Sequence, residues 1–153
     1  MKPGSLDLED FLPYRLSVLS NMISSSIAGA YSEYFGLSIN EWRVMAVLGR
    51  FPGLSAAEVA ERTAMDKVAV SRAVARLIDS GRARRETAAE DRRRSVLELT
   101  AEGRRIYDRL TPVLLRYEAE LLDALGPSQR RRLMGLLTDL QEAARRLGPP
   151  RLD

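Results

Sequence analysis

The chain has 153 residues, 45% hydrophobic and 29% charged, enough apolar content for one folded domain with a core and too much for a disordered chain. Its formal charge is +3, and of 24 basic residues only Lys2 and Lys67 are lysines, so the positive charge is nearly all guanidinium. Arginine grips phosphates or a guanine edge bidentately, although GC-rich coding would produce the same bias. With no cysteine and no histidine, the chain excludes disulfides, thiol-based redox sensing, histidine-dependent triads and cysteine nucleophiles, and it offers zinc only carboxylates. No cofactor is implied. The first residues, MKPGSLDLEDF, carry no apolar core of signal-peptide length, and no run of about 18 apolar residues occurs, so a cytoplasmic protein without membrane contact is expected.

In chain order, apolar residues at Leu12, Leu16, Leu19, Ile23, Ile27, Ala30 and Tyr34 recur at helical steps and predict a long amphipathic helix over 8–35, ended by Gly36-Leu37. Ser38-Ile39-Asn40-Glu41 reads as a capping box opening a helix that carries Trp42, Met45, Ala46 and Leu48 and stops before Phe51-Pro52-Gly53. A second box, Ser55-Ala56-Ala57-Glu58, opens a short helix to about Arg62. The turn Thr63-Ala64-Met65 then leads to Asp66, an N-cap, and a helix over 66–80 with Val70, Val74, Leu77 and Ile78 facing inward and Gly81 stopping it.

The period then changes. Residues 82–87 and 95–99 read as strands around a charged loop at 88–94, with Leu97 and Leu99 on one face. Thr100 caps a helix with Ile106, Leu110, Val113, Leu114, Tyr117, Leu121 and Leu125 inward and a kink expected near Pro112. Gly126-Pro127 starts the last helix, whose stripe is Leu133, Leu136, Leu137, Leu140, Ala144 and Leu147. The fold class is therefore mainly α with a small β-hairpin.

Two short helices joined by a tight turn, the second followed by a basic hairpin, make a winged helix-turn-helix. Such a motif presents the start of its second helix to base edges in the major groove. Here that region holds Lys67, Val68, Ala69, Ser71, Arg72 and, one turn on, Arg76. Arg72 suits a guanine or a phosphate, and Ser71 suits a base edge or a phosphate. Val68 or Ala69 suits a thymine methyl. Six arginines stand between positions 82 and 94, three of them consecutive (Arg92, Arg93, Arg94). Like charges crowded in a loop call for an anion, and such a loop inserts arginine into the minor groove. Asp91 is expected to orient one of those guanidiniums.

The runs DKVAVSRAVARL and DRRRSVLELTAEG, within a segment starting LSINEWRVMAVLGRFPG, resemble the recognition helix and wing of the MarR family of bacterial transcriptional regulators. That family usually has Ser or Thr just after the recognition-helix lysine, where Val68 and Ala69 stand here. The resemblance implies a homodimer in which residues 1–37 and 100–153 form a helical dimerisation region and 38–99 the winged DNA-binding domain. The terminal apolar stripes agree, being too long for one small domain to cover. A symmetric dimer reads an inverted repeat in double-stranded DNA, with half-sites about 10 bp apart. The resemblance also implies a small, aromatic, anionic effector, for which Asn21, Ser24, Trp42 and Met45 are the candidate contacts.

Other classes fit less well. A winged-helix dimer serving only as a protein-interaction module leaves the arginines at 92–94 without purpose. An enzyme lacks converging carboxylates in an apolar setting and a glycine-rich phosphate loop. Single-stranded RNA is read by aromatic stacking, and the basic hairpin contains no aromatic residue.

Overall fold

The computed structural model describes residues 6–151, so Lys2 and the outermost residues of the expected 1–37 and 100–153 region lie outside it. Among the described residues the order is α1 (Leu12–Phe35), α2 (Ile39–Arg50), α3 (Ala56–Thr63), α4 (Lys67–Asp79), β1 (Ala83–Thr87), β2 (Ser95–Leu99), α5 (Ala101–Leu122) and α6 (Pro127–Leu147). The fold is mainly α with one small antiparallel hairpin, and the chain forms two compact units that divide between Leu114 and Leu115.

Local chemistry sets the helix ends. α1 begins four residues later than its apolar spacing suggests, because Pro13 belongs in a first turn, where its missing N–H is no loss; Leu8 instead accepts a turn bond from the Phe11 N–H at 3.3 Å. Its other end is a left-handed Gly36 (φ 62°), with the Leu37 N–H donating back to the Tyr31 carbonyl at 3.2 Å. Both predicted capping boxes form. The Glu41 N–H donates to Ser38 Oγ at 3.1 Å while the Ser38 N–H donates to the Glu41 carboxylate at 2.9 Å, and Ser55 with Glu58 repeats this at 3.2 and 2.7 Å. The box explains why Glu41 is buried yet satisfied. Between α3 and α4 the chain reverses at Ala64, which takes the left-handed conformation at φ 52° without being glycine.

In the first unit, Val44, Met45 and Leu48 of α2, Val59 of α3, Val70, Val74 and Leu77 of α4, Leu97 of β2, and Ile106 and Leu110 of α5 are enclosed in one core. Each such side chain contributes about 1.5–3 kcal/mol of burial. α1 joins the core through Tyr31, whereas Tyr34, assigned to the inner stripe by spacing, stands 76% exposed. The helix period drifts, and the face that packs on the core runs through Ile27, Tyr31 and Phe35.

β1 pairs with β2 from Ala83 opposite Leu99 to Thr87 opposite Ser95. A further rung was not legible: Leu54 bridges Leu97, whose N–H donates to the Leu54 carbonyl at 2.7 Å, tying the hairpin to the segment before α3. At the hairpin base the Thr100 hydroxyl donates to the Gly81 carbonyl at 2.6 Å and accepts the Gly103 N–H at 3.1 Å, as its cap role requires. Gly103 lies so close to the Arg82 carbonyl that a Cβ there would collide with it. α5 continues through Pro112, and the Thr111 hydroxyl donates to the Tyr107 carbonyl at 2.8 Å.

In the second unit, α6 starts at Pro127 after Gly126, whose N–H donates to Gln129 Oε1 at 2.8 Å. Arg130 holds the turn, donating to the Leu125 carbonyl at 3.0 Å and pairing with Asp123 at 2.9 Å. No residue of α6 is buried; Leu133, Met134, Leu136 and Leu140 stay exposed.

Candidate nucleic-acid interface

α4 is amphipathic in a way that dictates its outer face. Val70, Ala73, Val74 and Leu77 are buried, so Lys67, Val68, Ser71, Arg72 and Arg76 turn outward and are exposed, while Ala69 is half-buried at the edge. Asp66 fixes the start: its carboxylate accepts the N–H groups of Val68 at 2.9 Å and Ala69 at 3.1 Å. Arg72 and Arg76 line a cleft of about 240 Å³ together with Ala69, Ala73, Ser38 and Asn40. Ser38 and Asn40 were absent from the sequence-based candidates. The only signal for them was the capping box, which places the start of α2 but not its neighbour. A concavity bounded by two guanidiniums, a hydroxyl and an amide suits an anion such as a phosphate.

The hairpin arginines divide into two groups. Arg82 donates to the Phe35 carbonyl at 2.5 Å, and Arg84 pairs with Glu86 at 2.5 Å and Glu98 at 3.0 Å. Arg94 pairs with Glu58, the capping residue of α3. These three brace the protein. Arg85, Arg92 and Arg93 are exposed and form no ion pair among the described residues. Of the arginines expected to meet DNA, Arg92 and Arg93 are thus open at the tip, whereas Arg94 is already engaged.

Asp91 pairs with no guanidinium among the described residues. Its carboxylate accepts the Arg93 backbone N–H at 2.9 Å, and its carbonyl accepts the Arg94 N–H at 3.0 Å. An aspartate two residues before a free N–H closes a local turn more readily than it captures a long solvated side chain. The Ala88 N–H donates to the Arg94 carbonyl at 2.8 Å and shuts the loop.

Glu58 links the wing to the helix-turn-helix. The Ser55 N–H and then Arg94 hold its carboxyl well below its ordinary value, at about 2. One carboxylate therefore starts α3 and anchors the wing.

The candidate effector contacts do not share one environment. Met45 is fully enclosed in the core, and Trp42 is stacked between Tyr31 and Tyr107, with ring centroids 5.8 and 6.2 Å away. Ser24 is half-buried, and its hydroxyl accepts a bond from Arg43 at 3.3 Å; Asn21 is exposed. Burial pushes the Tyr31 phenol above its ordinary pKa, with the Arg43 charge pulling the other way. Among the described residues no helix is long and apolar enough to cross a membrane.

Residues 35–94 match the model of the MarR family, a span from the end of α1 to the wing tip. The HTH-type transcriptional repressor Rv2887 of Mycobacterium tuberculosis is 28% identical over 129 residues, 84% of this chain and 92% of its own. The MarR/EmrR family transcriptional regulator of Acinetobacter sp. ADP1 has a similar fold, with a TM-score of 0.86 at 24% identity over 93% of this chain and 100% of that one. So does Bordetella bronchiseptica BpsR, whose DNA binding is regulated by 6-hydroxynicotinic acid, with a TM-score of 0.78 at 19% identity over 92% of this chain and 100% of that one. Helix-turn-helix, basic wing and matched segment coincide, and over residues 35–94 the chain is similar to the MarR family of winged helix-turn-helix transcriptional regulators.

Proposed function

We infer that the chain is a homodimeric regulator that reads an inverted-repeat operator, with helix 66–80 in the major groove and wing 82–99 in the minor groove. The observation that carries this reading is the pairing of an outward α4 face (Lys67, Val68, Ser71, Arg72, Arg76) with an open arginine pair at the wing tip. α4 supplies hydrogen-bonding and apolar side chains for base edges, and Arg92 and Arg93 supply charge for the narrower groove. Arg76, with Ser38 and Asn40 in the same cleft, suits the phosphate backbone between the two. Dimerisation is supported by the apolar faces that α1 and α6 leave uncovered in a single chain, including Leu12, Leu16 and Leu19 on α1 and Leu136 and Leu140 on α6.

Effector control belongs to the same reading. The BpsR relative responds to an aromatic acid, and here Arg43, beside Ser24 and the aromatic stack on Trp42, offers charge complementary to one. Met45 is core and Asn21 is exposed, so neither needs to meet the effector directly.

Selection from a random duplex DNA pool at near-physiological salt tests the reading. Enrichment of an inverted repeat with half-sites about 10 bp apart is the expected result. Weak binding that vanishes as salt rises, without enrichment, overturns it and favours the protein-interaction module. Small aromatic acids are then titrated against the operator complex, and release by at least one class of them is expected.

A further inference from the structure

Val68 occupies a position where an apolar side chain gains nothing from folding. It is 56% exposed in the first turn of α4, and as a β-branched residue it favours helix less than the polar residues that suit such a position. Its backbone N–H is already given to Asp66, as is that of Ala69, so at these two positions an approaching DNA strand meets side chains rather than free amides. The two small apolar residues are not equivalent. Ala69 is half-buried and lines the cleft toward α2, whereas Val68 faces outward beside the exposed Ser71 and Arg72. A valine at a groove floor satisfies no donor or acceptor, so an adenine or cytosine amino group placed against it would lose its water without replacement. The one apolar feature on the major-groove edges is the C5 methyl of a pyrimidine.

We propose that Val68 is a specificity-determining residue that reads the C5 methyl of a thymine in each half-site, close to the guanine edge taken by Arg72. The two side chains are one helical turn apart, about 6 Å along the axis, which sets the two bases within about two base steps of each other. This rests on the operator-reading function above and adds what that reading leaves open, namely which chemical feature of the base is recognised.

The test keeps the protein intact and edits the DNA. In the operator obtained by selection, each thymine is replaced in turn by deoxyuridine, which removes the methyl and leaves the base pair unchanged. One position per half-site is expected to lose about fourfold in affinity, the worth of one buried methyl, and about fifteenfold when both half-sites are changed. Val68→Ala, an exposed substitution whose fold is checked by circular dichroism, is expected to bind the thymine and deoxyuridine operators equally. At the sensitive position, 5-methylcytosine is expected to bind better than cytosine. A tight operator indifferent to every deoxyuridine overturns the proposal and leaves the regulator reading standing, and so does a Val68→Ala protein that discriminates as the wild type does. Failure of the selection to return any operator overturns the regulator reading, and this proposal with it.

Discussion

At the scale of single residues, the arginines of the hairpin carry the most information, because identical side chains have unlike roles. Arg92→Ala and Arg93→Ala are each expected to flatten the dependence of log affinity on log salt by about one unit, since each removes one phosphate neutralisation. Arg94→Ala, which loses a partner inside the protein, is expected to leave that slope nearly unchanged; salt titrations of the three variants against one duplex separate the cases. Arg72→Ala is expected to cost roughly 1–3 kcal/mol of binding and to relax preference at one operator position, read by competition with single-base variants. The amino-acid order assigned all of these residues to the candidate interface but did not divide them. Arg94 and Glu58 are 36 positions apart, and nothing local to either announces the pair. For Asp91 the local option was visible, and a backbone N–H two residues away prevailed over a mobile guanidinium. Spacing placed Tyr34 in the inner stripe of α1, but it is Tyr31 that is buried, a choice made by the partner surface.

At the scale of elements, the boundaries that carry caps were legible to the residue, and the links between elements were not. Ser38, Ser55, Asp66, Thr100 and Pro127 each begin a helix where their chemistry requires. The Leu54–Leu97 rung depends on a pairing that no sequence window spans. Glu58 is held near 2 in the folded chain against an ordinary 4.5, so the stability it confers is fully present above about pH 4.5 and is lost as pH falls toward 2. Glu58→Gln keeps an oxygen for the Ser55 N–H but not the charge; its melting temperature is expected to fall less steeply across that window than that of the wild type. Gly103→Ala, which drives a methyl into the Arg82 carbonyl, is expected to destabilise by roughly 1–3 kcal/mol in urea titration. Gly135→Ala, within α6 and facing open space, is expected to stabilise by up to about 1 kcal/mol.

At the scale of the whole molecule, a single chain leaves large apolar residues exposed in series on α1 (Leu12, Leu16, Leu19) and on α6 (Leu133, Leu136, Leu140), rather than scattered singly. Leu136 and Leu140 lie one turn apart on α6. Replacing both with glutamate is expected to convert a dimer to monomer in sedimentation velocity and to abolish binding to a full inverted repeat while sparing weak half-site binding. The apolar spacing of the terminal helices was readable without any structure. What covers them in the proposed dimer is a property of a second molecule, which a periodic stripe signals without describing.

The wing tip has a consequence for how such a protein changes over time. The Ala88–Arg94 bond closes the loop, and the Arg94–Glu58 pair anchors its return, so residues 89–93 hang beyond a fastened neck. Length added there disturbs no packed residue, and its entropic cost grows only by about 0.6 kcal/mol for each doubling of the loop. The distance the tip can span is therefore nearly independent of the stability of the body that carries it. Insertions and deletions at this one place can alter which stretch of groove is touched while the rest of the domain stays under its own constraints.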